Sequence, residues 1–354
     1  MSSGFTGAGP RAPGEKVRRV HSGLGVSAVL VVLLAVVSVA AYVFSCPLPK
    51  DSPGITVYVA PGMSTGEIAD LLHESGIIRY PGAFKVLSRL TARDGKMQSG
   101  EYRFEPGIFA WDVLKSLVQG RVVYYSLTVR EGLTIEEIAS LVEDRSFGNR
   151  DKFLELAKDP ALLPSFVSRD DARQCRYPLE GYLFPDTYYI RKGMSERDIL
   201  LMMLKRTSQV FSSDVLAEIR GSGMTPHEVA TLASIVEKEA FVSSERATIA
   251  AVYLNRLKIG MKLDADPTVV YAIGEKAGYS LTYRDLETDS PYNTYKNAGL
   301  PPGPIGNFGQ ESLRAVLHPD KVEYLYFVAK ADGTHAFAKT LAEHNRNVAT
   351  YQPN

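Results

Sequence analysis

Apolar and polar positions follow several distinct rhythms along this chain. From Leu24 to Phe44 (LGVSAVLVVLLAVVSVAAYVF) there is no charge and no helical or strand period. As a helix this stretch reaches about 31 Å, the thickness of a bilayer's hydrocarbon core, and it predicts a transmembrane helix over 24–44. A period of two follows in Val57-Tyr-Val59 and stops at Gly62. Ser64, with Glu67 three residues on, then opens a helical pattern through Ile68, Ala69 and Leu71. The same phrase of strand, glycine turn and capping-box helix start recurs from Leu127 through Gly132, Thr134 and Glu137 to Leu141. A fainter copy, Pro106 to Leu117, has lost the cap. The stretch from Arg145 to Phe211 reads as mainly helical, and Glu323–Ala329, Gly333 and His335–Phe337 read as a hairpin.

The sharpest helix signal is Thr225-Pro226-His227-Glu228, with a cap residue, proline at the first helical position and glutamate at the third. On a helical wheel Val229, Leu232, Ala233, Val236 and Ala240 share one face, with Lys238 pointing to solvent. Glu237 lies at one border of that face, above Ala230 and Ala233. Glu239 lies at the other, beside Leu232 and Ile235. A carboxyl over two alanines has room for a substrate and a partly apolar wall, which raises its pKa and makes it a usable acid. That geometry favours Glu237 as the acid and leaves Glu239 as a supporting or alternative one. Further on, Asp266 and the loop residues Tyr292, Asn293, Thr294 and Tyr295, followed by GLPPGPIG, offer directional polar groups on a rigid backbone, suited to a polyhydroxylated ligand. The aromatic-rich segment from Leu179 to Tyr189 suits sugar stacking and an ordinary core equally well.

Charge and composition narrow the classes. Forty basic residues balance forty acidic ones, so no global field recruits nucleic acid. Arg11, Lys16, Arg18 and Arg19 stand against the single Glu15 before the apolar stretch, and a near-neutral Lys50–Asp51 comes after it. Basic flanks stay inside, so the N-terminus is expected in the cytoplasm and the rest of the chain outside. The two cysteines, Cys46 and Cys175, allow one bridge and no thiolate metal cage. No cofactor or metal is expected: His227-Glu228 lacks a second histidine at the zincin spacing, and no phosphate loop, GxSxG or dinucleotide fingerprint occurs.

The repeated strand–glycine–helix phrase resembles the opening of a LysM module, a βααβ unit that binds N-acetylglucosamine glycans. A longer likeness lies downstream. The ordered run ASIVEKEA (Ala233 to Ala240), SSER, NRL, IGM, DPTV, YNTY, GLPPGPI, His318-Pro319, YLYFVA and His344-Asn345 closely resembles the YceG-like family, also called the MltG family, of endolytic murein transglycosylases. The likeness runs from about Val57 to Asn345.

That resemblance implies an α+β fold: one N-terminal transmembrane helix, a LysM-like βααβ region and an α+β lytic transglycosylase domain. The corresponding division is a cytoplasmic tail over 1–23, the span over 24–44, an exported LysM-like region over 45–145, a helical and aromatic connection over 146–220 and a catalytic domain over 221–354. It implies a single-pass protein of the cytoplasmic (inner) membrane with a periplasmic or extracytoplasmic active site. The implied substrate is the MurNAc-β-1,4-GlcNAc bond of nascent glycan strands, cut to 1,6-anhydro-MurNAc ends, and the implied partners are cell-wall synthases. The family's acid is a glutamate of the SIVEKE helix, whose first glutamate falls on Glu237. Two other readings stay open: a non-enzymatic peptidoglycan-binding scaffold, and a muramidase-type hydrolase. Glu237 and Glu239 diverge by about 200° on the wheel and cannot form a hydrolase pair, so a hydrolase would recruit Glu180, Asp264 or Asp266.

Overall fold

The computed structural model describes residues 21–47, 49, 51–274 and 280–352, with side chains from residue 26 onward. Arg11, Glu15, Lys16, Arg18, Arg19 and Lys50, which carry the topology argument, lie outside the described residues. The chain divides between Val123 and Tyr124 into two compact units.

The first unit opens with helix α1, His21–Phe44. Its side chains from Val26 to Tyr42 are exposed, and the Val26–Phe44 stretch has a mean hydropathy of 2.7. An apolar helix that finds no protein core is compatible with a membrane anchor. Strand β1 (Ile55–Val59), helices α2 (Thr65–Glu74) and α3 (Pro81–Leu90), strand β2 (Gly100–Phe104) and helix α4 (Ala110–Gln119) follow. The strands pair antiparallel, with Ile55 opposite Phe104 and Val59 opposite Gly100. The period-two pattern puts Val57 and Val59 inside, against Leu72, Phe84, Tyr102 and Leu114. At the start of α2 the expected capping box is present: the Ser64 hydroxyl accepts from the Glu67 N–H, and the Glu67 carboxylate accepts from the Ser64 N–H. Helix α4, the third copy of the phrase, begins at Phe109 without a side-chain cap.

The second unit contains β3 (Tyr124–Thr128), α5 (Ile135–Asp144), α6 (Arg150–Ala157), β4 (Thr187–Arg191), α7 (Glu196–Val210) and α8 (Ser213–Ser222). It continues through α9 (Pro226–Glu239), α10 (Arg246–Lys258), α11 (Asp266–Ile273), α12 (Tyr283–Leu286) and α13 (Gln310–Leu317) to the hairpin β5 (Tyr326–Ala329) and β6 (His335–Ala338), then α14 (Leu341–Tyr351). Thr134 and Glu137 form the second capping box, at α5. Strand β3 pairs with β4, and both are laid against the same core as α9 through Leu127, Tyr188 and Ile190. The second copy of the repeat therefore belongs to the unit that holds the SIVEKE helix, and the 45–145 region is shared between the two units.

Helix α9 is the centre of that core. Every residue from Val229 to Val236 is buried, and α8, α10, α11 and α13 pack around it. The expectation of a one-faced amphipathic helix is corrected here. No charge separates Glu228 from Glu237, and a helix apolar all round is enclosed on all sides. The aromatic-rich segment resolves toward core: Tyr182, Phe184 and Tyr188 are buried, and only Tyr189 is exposed.

Trp111, the only tryptophan, sits on α4 with the Arg93 guanidinium 4.3 Å from its ring centroid. Its fluorescence therefore reports on the first unit. Leu114→Ala, at a fully buried position of the same helix, is expected to lower the unfolding free energy read by Trp111 in urea by about 2–5 kcal/mol.

Candidate active site

Helix α9 ends at Glu239, and its last turn delivers three charged side chains in three directions. The first, Glu237, is turned away from open space. One carboxylate oxygen meets the Arg246 guanidinium at 3.1 Å and the other accepts the Gly309 N–H at 2.9 Å. Both partners are nearly sealed, with the Arg246 and Glu237 side chains 11% and 6% exposed. Arg246 also reaches Ser312 on α13 at 3.1 Å. Glu237 thus braces α9 against the start of α10 and caps the N-terminus of α13, where the positive end of the helix dipole favours an anion. The room expected above Ala230 and Ala233 is absent. Both are fully buried, and small side chains here let neighbouring elements approach rather than leave a gap.

Glu239 takes the position expected of its neighbour. It lines a cleft of about 1500 Å³ that also carries Tyr253, Arg256, Asp266, Tyr295 and His344. One carboxylate oxygen accepts the Tyr253 hydroxyl at 2.8 Å. Burial, reinforced by the charge of Asp266, pushes its pKa up to about 7, against the opposing pull of the Tyr253 hydrogen bond and the Arg256 charge. Arg256 is fixed by the carbonyls of Leu325 at 2.6 Å and Leu263 at 2.8 Å and lies 3.4 Å from Asp264. A cleft of this volume exceeds the 300–1,000 Å³ usual for small-molecule sites and suits several sugar rings.

The five other expected site residues separate into two groups. Asp266, the first residue of α11, and Tyr295 both face the cleft, joined by a 2.6 Å hydrogen bond from the tyrosine hydroxyl. Tyr292, Asn293 and Thr294 are buried and serve the loop instead. Asn293 donates to the carbonyls of Leu286 and Thr288 and accepts from the Tyr295 N–H at 3.0 Å. Thr294 accepts from the Ala265 N–H at 3.0 Å, and Tyr292 from the Arg176 N–H at 3.3 Å. Asn293 and Thr294 order the backbone next to Tyr295 and Asp266, Tyr292 ties the loop to Arg176, and, contrary to expectation, none of the three lines the cleft.

Glu180 is another carboxyl with a raised pKa, but it is buried in the core. It accepts from the Ile135 N–H at 3.0 Å, the Asn307 amide at 3.2 Å and the Tyr271 hydroxyl at 3.2 Å. Burial pushes it up to about 8. Sequence reasoning passes over Tyr253, Arg256 and Lys238 as site residues. The available signal is Tyr253 and Arg256 in α10, three residues apart on one face, where burial demands partners for both.

A carboxylic acid with a pKa of about 7 at the end of a buried helix, opening on a long polar cleft, has the form of a glycan-processing site. The sequence model described as the YceG-like family matches residues 57–350, and the chain belongs to that family. It is 37% identical over 316 residues to an endolytic murein transglycosylase of Bacillus subtilis (strain 168), covering 86% of this chain and 87% of that one. It is 30% identical over 345 residues to a protein of the same name from Streptococcus pneumoniae serotype 2 (strain D39 / NCTC 7466), covering 88% of this chain but spanning 61% of the pneumococcal one. A 2.6 Å crystal structure of a putative YceG-like protein from Listeria monocytogenes is 36% identical, with a TM-score of 0.59 over 84% of this chain and 99% of that chain.

Glu180 and Glu239 contribute a pH dependence of stability. Native Glu180 and Glu239 hold protons up to about 8 and about 7, whereas their ordinary value is 4.5. Their contribution is therefore full below about pH 4.5 and lost as pH rises through 7 to 8. Glu180→Gln is expected to flatten the upper part of that decline in thermal melts. Glu237→Ala, which takes from the buried Arg246 its 3.1 Å partner and leaves the Glu131 carboxylate at 3.9 Å, is expected to cost about 1–3 kcal/mol in urea unfolding at neutral pH.

Proposed function

We propose that this protein is a membrane-anchored peptidoglycan lytic transglycosylase that cuts the MurNAc-β-1,4-GlcNAc bond endolytically in nascent strands, with Glu239 as the single acid and base. The names of the relatives support the activity class. The observation that carries the assignment of roles is the position of Glu239, on the cleft with a pKa of about 7, while Glu237 is consumed by Arg246 and Gly309.

In the cleft, protonated Glu239 donates to the glycosidic oxygen, and the C1–O bond breaks toward an oxocarbenium-like muramyl centre. The resulting carboxylate takes the proton of the muramyl C6 hydroxyl as that oxygen attacks C1, closing the 1,6-anhydro ring. The acid is regenerated and no water enters. A group that must give and then reclaim one proton works best with a pKa near the working pH. Tyr253 holds one carboxylate oxygen, leaving the other for substrate. Arg256 steadies the anionic stage, and Asp266 and Tyr295 supply polar contacts beside the acid.

Helix α1 serves as the anchor, with the N-terminus in the cytoplasm and the cleft outside the cytoplasmic membrane, within reach of newly polymerised strands and their synthases. The order β1–α2–α3–β2, with its antiparallel strand pair, supports a LysM-like glycan-holding role for the first unit. The second unit is the catalytic domain.

Uncross-linked glycan digested with the protein is expected to yield products with anhydro ends, one water lighter by mass spectrometry than reducing ends. Reducing ends would indicate a hydrolase, and no products a scaffold. Glu239→Gln is expected to lower kcat by about 10²–10⁴-fold, whereas Glu237→Gln alters stability more than turnover at permissive temperature. The rate constant kcat/KM should fall as pH rises through about 7, the acid form being required. Asp266→Asn, which removes the neighbouring negative charge, should move that fall to lower pH. Tyr253→Phe, which removes a hydrogen bond to the carboxylate, should move it higher.

A further inference from the structure

The middle charge of the SIVEKE turn, Lys238, is predicted by the wheel to face solvent. It is half-buried instead and lines the cleft. Its stem runs between two glycines. A Cβ at Gly306 would stand 3.2 Å from the Lys238 Cε and 2.9 Å from the Gly132 carbonyl oxygen, and one at Gly132 would stand 3.9 Å from the Lys238 Cδ. The lane confines a side chain that ordinarily loses much rotamer entropy on ordering, so Lys238 is ordered at the cleft wall before any ligand arrives.

Held there, it has no carboxylate of its own. Among the described residues no acidic side chain stands within ion-pair distance of Lys238. Glu180, the acid whose charge it senses, is raised to about 8 and is mainly neutral at pH 7. On the same cleft wall the acids are engaged elsewhere. Glu136 binds Arg176 at 2.9 Å and Tyr177 at 2.8 Å, and Glu137 closes the capping box of α5. Asp144 remains, exposed to solvent at the end of α5. Arg130 and Arg145 line the wall without an ion-pair partner among the described residues. The wall presents cations without partners beside an acid that handles a neutral sugar bond.

From this arrangement we infer that Lys238 binds a carboxylate carried on the side arm of the muramyl sugar, making the cleft selective for acidic strands over neutral ones. The inference rests on the transglycosylase reading for the substrate class. Two sources supply the chemistry, the lactyl carboxylate of a peptide-free strand and the carboxylates of a stem peptide. A half-buried ammonium–carboxylate contact with one preorganised partner is a specificity device, discriminating by leaving its cation unpaired when the ligand is neutral.

The test is a binding measurement with the full-length protein in detergent, on a Glu239→Gln background so that no strand is cut. The probes are fluorescently labelled uncross-linked glycan strands in three forms: peptide-bearing, stripped of peptides, and peptide-bearing with all carboxyls converted to amides. Adding Lys238→Met is expected to weaken binding of an acidic strand on the order of tenfold, with Lys238→Arg restoring most of it and the amidated strand bound equally by all three proteins. The acidic strand that shows the loss identifies the source. Equal binding of acidic strands with and without Lys238→Met overturns the proposal, as does an equal loss on the amidated strand. Because binding is read without chemistry, a wild-type protein that cuts nothing but still discriminates by charge sinks the transglycosylase reading and leaves the carboxylate site standing.

Discussion

The site depends on the complete enclosure of α9. A helix sealed from Val229 to Val236 admits no charge along its length, since each would face the cost of burial without water. Beyond the sealed stretch, charged side chains emerge again in the last turn, where successive residues point about 100° apart. Glu237, Lys238 and Glu239 therefore leave the core in three directions and meet three environments. One is an ion pair, one a lane between glycines, and one an open cleft beside a tyrosine hydroxyl.

Helix α10 converts that divergence into a fixed geometry. Arg246 opens it and Tyr253 lies seven residues on, two turns away on nearly the same face. The first grips Glu237 at 3.1 Å and the second grips Glu239 at 2.8 Å. The last turn of α9 is held at two points by one rigid neighbour, and Arg246 extends the hold to α13 through Ser312. A carboxyl that must be presented within a fraction of an ångström to a glycosidic oxygen gains from such a frame. The buried ion pair contributes orientation here as much as stability.

Local signals read well from the chain. The capping boxes of the two repeat copies, the capped proline start of α9, the uncapped third copy and the closing hairpin all follow from neighbouring residues, so short-range chemistry specifies them. The separation of Glu237 from Glu239 also follows from spacing. Which of the two faces a substrate does not, because the answer lies in Arg246 and Gly309, residues brought to Glu237 by tertiary packing. The alanines were ambiguous in the same way, since a small side chain marks either a gap or a close approach. Asn293 and Thr294 carry polar groups apt for a sugar, but their partners, Leu286, Thr288 and Ala265, are backbone atoms whose proximity no pattern encodes.

Two carboxyls in this unit, Glu180 and Glu239, are displaced to about 7 or above by burial, and displacement alone does not separate their roles. Glu180, at about 8, is buried with its oxygens held by Ile135, Asn307 and Tyr271. It joins the start of α5 to the Gly-Pro loop and acts as a framework acid. Glu239, at about 7, has one oxygen held by Tyr253 and the cleft before it. Its displacement is also balanced, with Asp266 pushing one way and Arg256 and Tyr253 the other, so neither protonation state is strongly excluded. A group that serves once as acid and once as base within a single turnover requires that balance together with access, and of these two carboxyls only the one at the end of α9 has both.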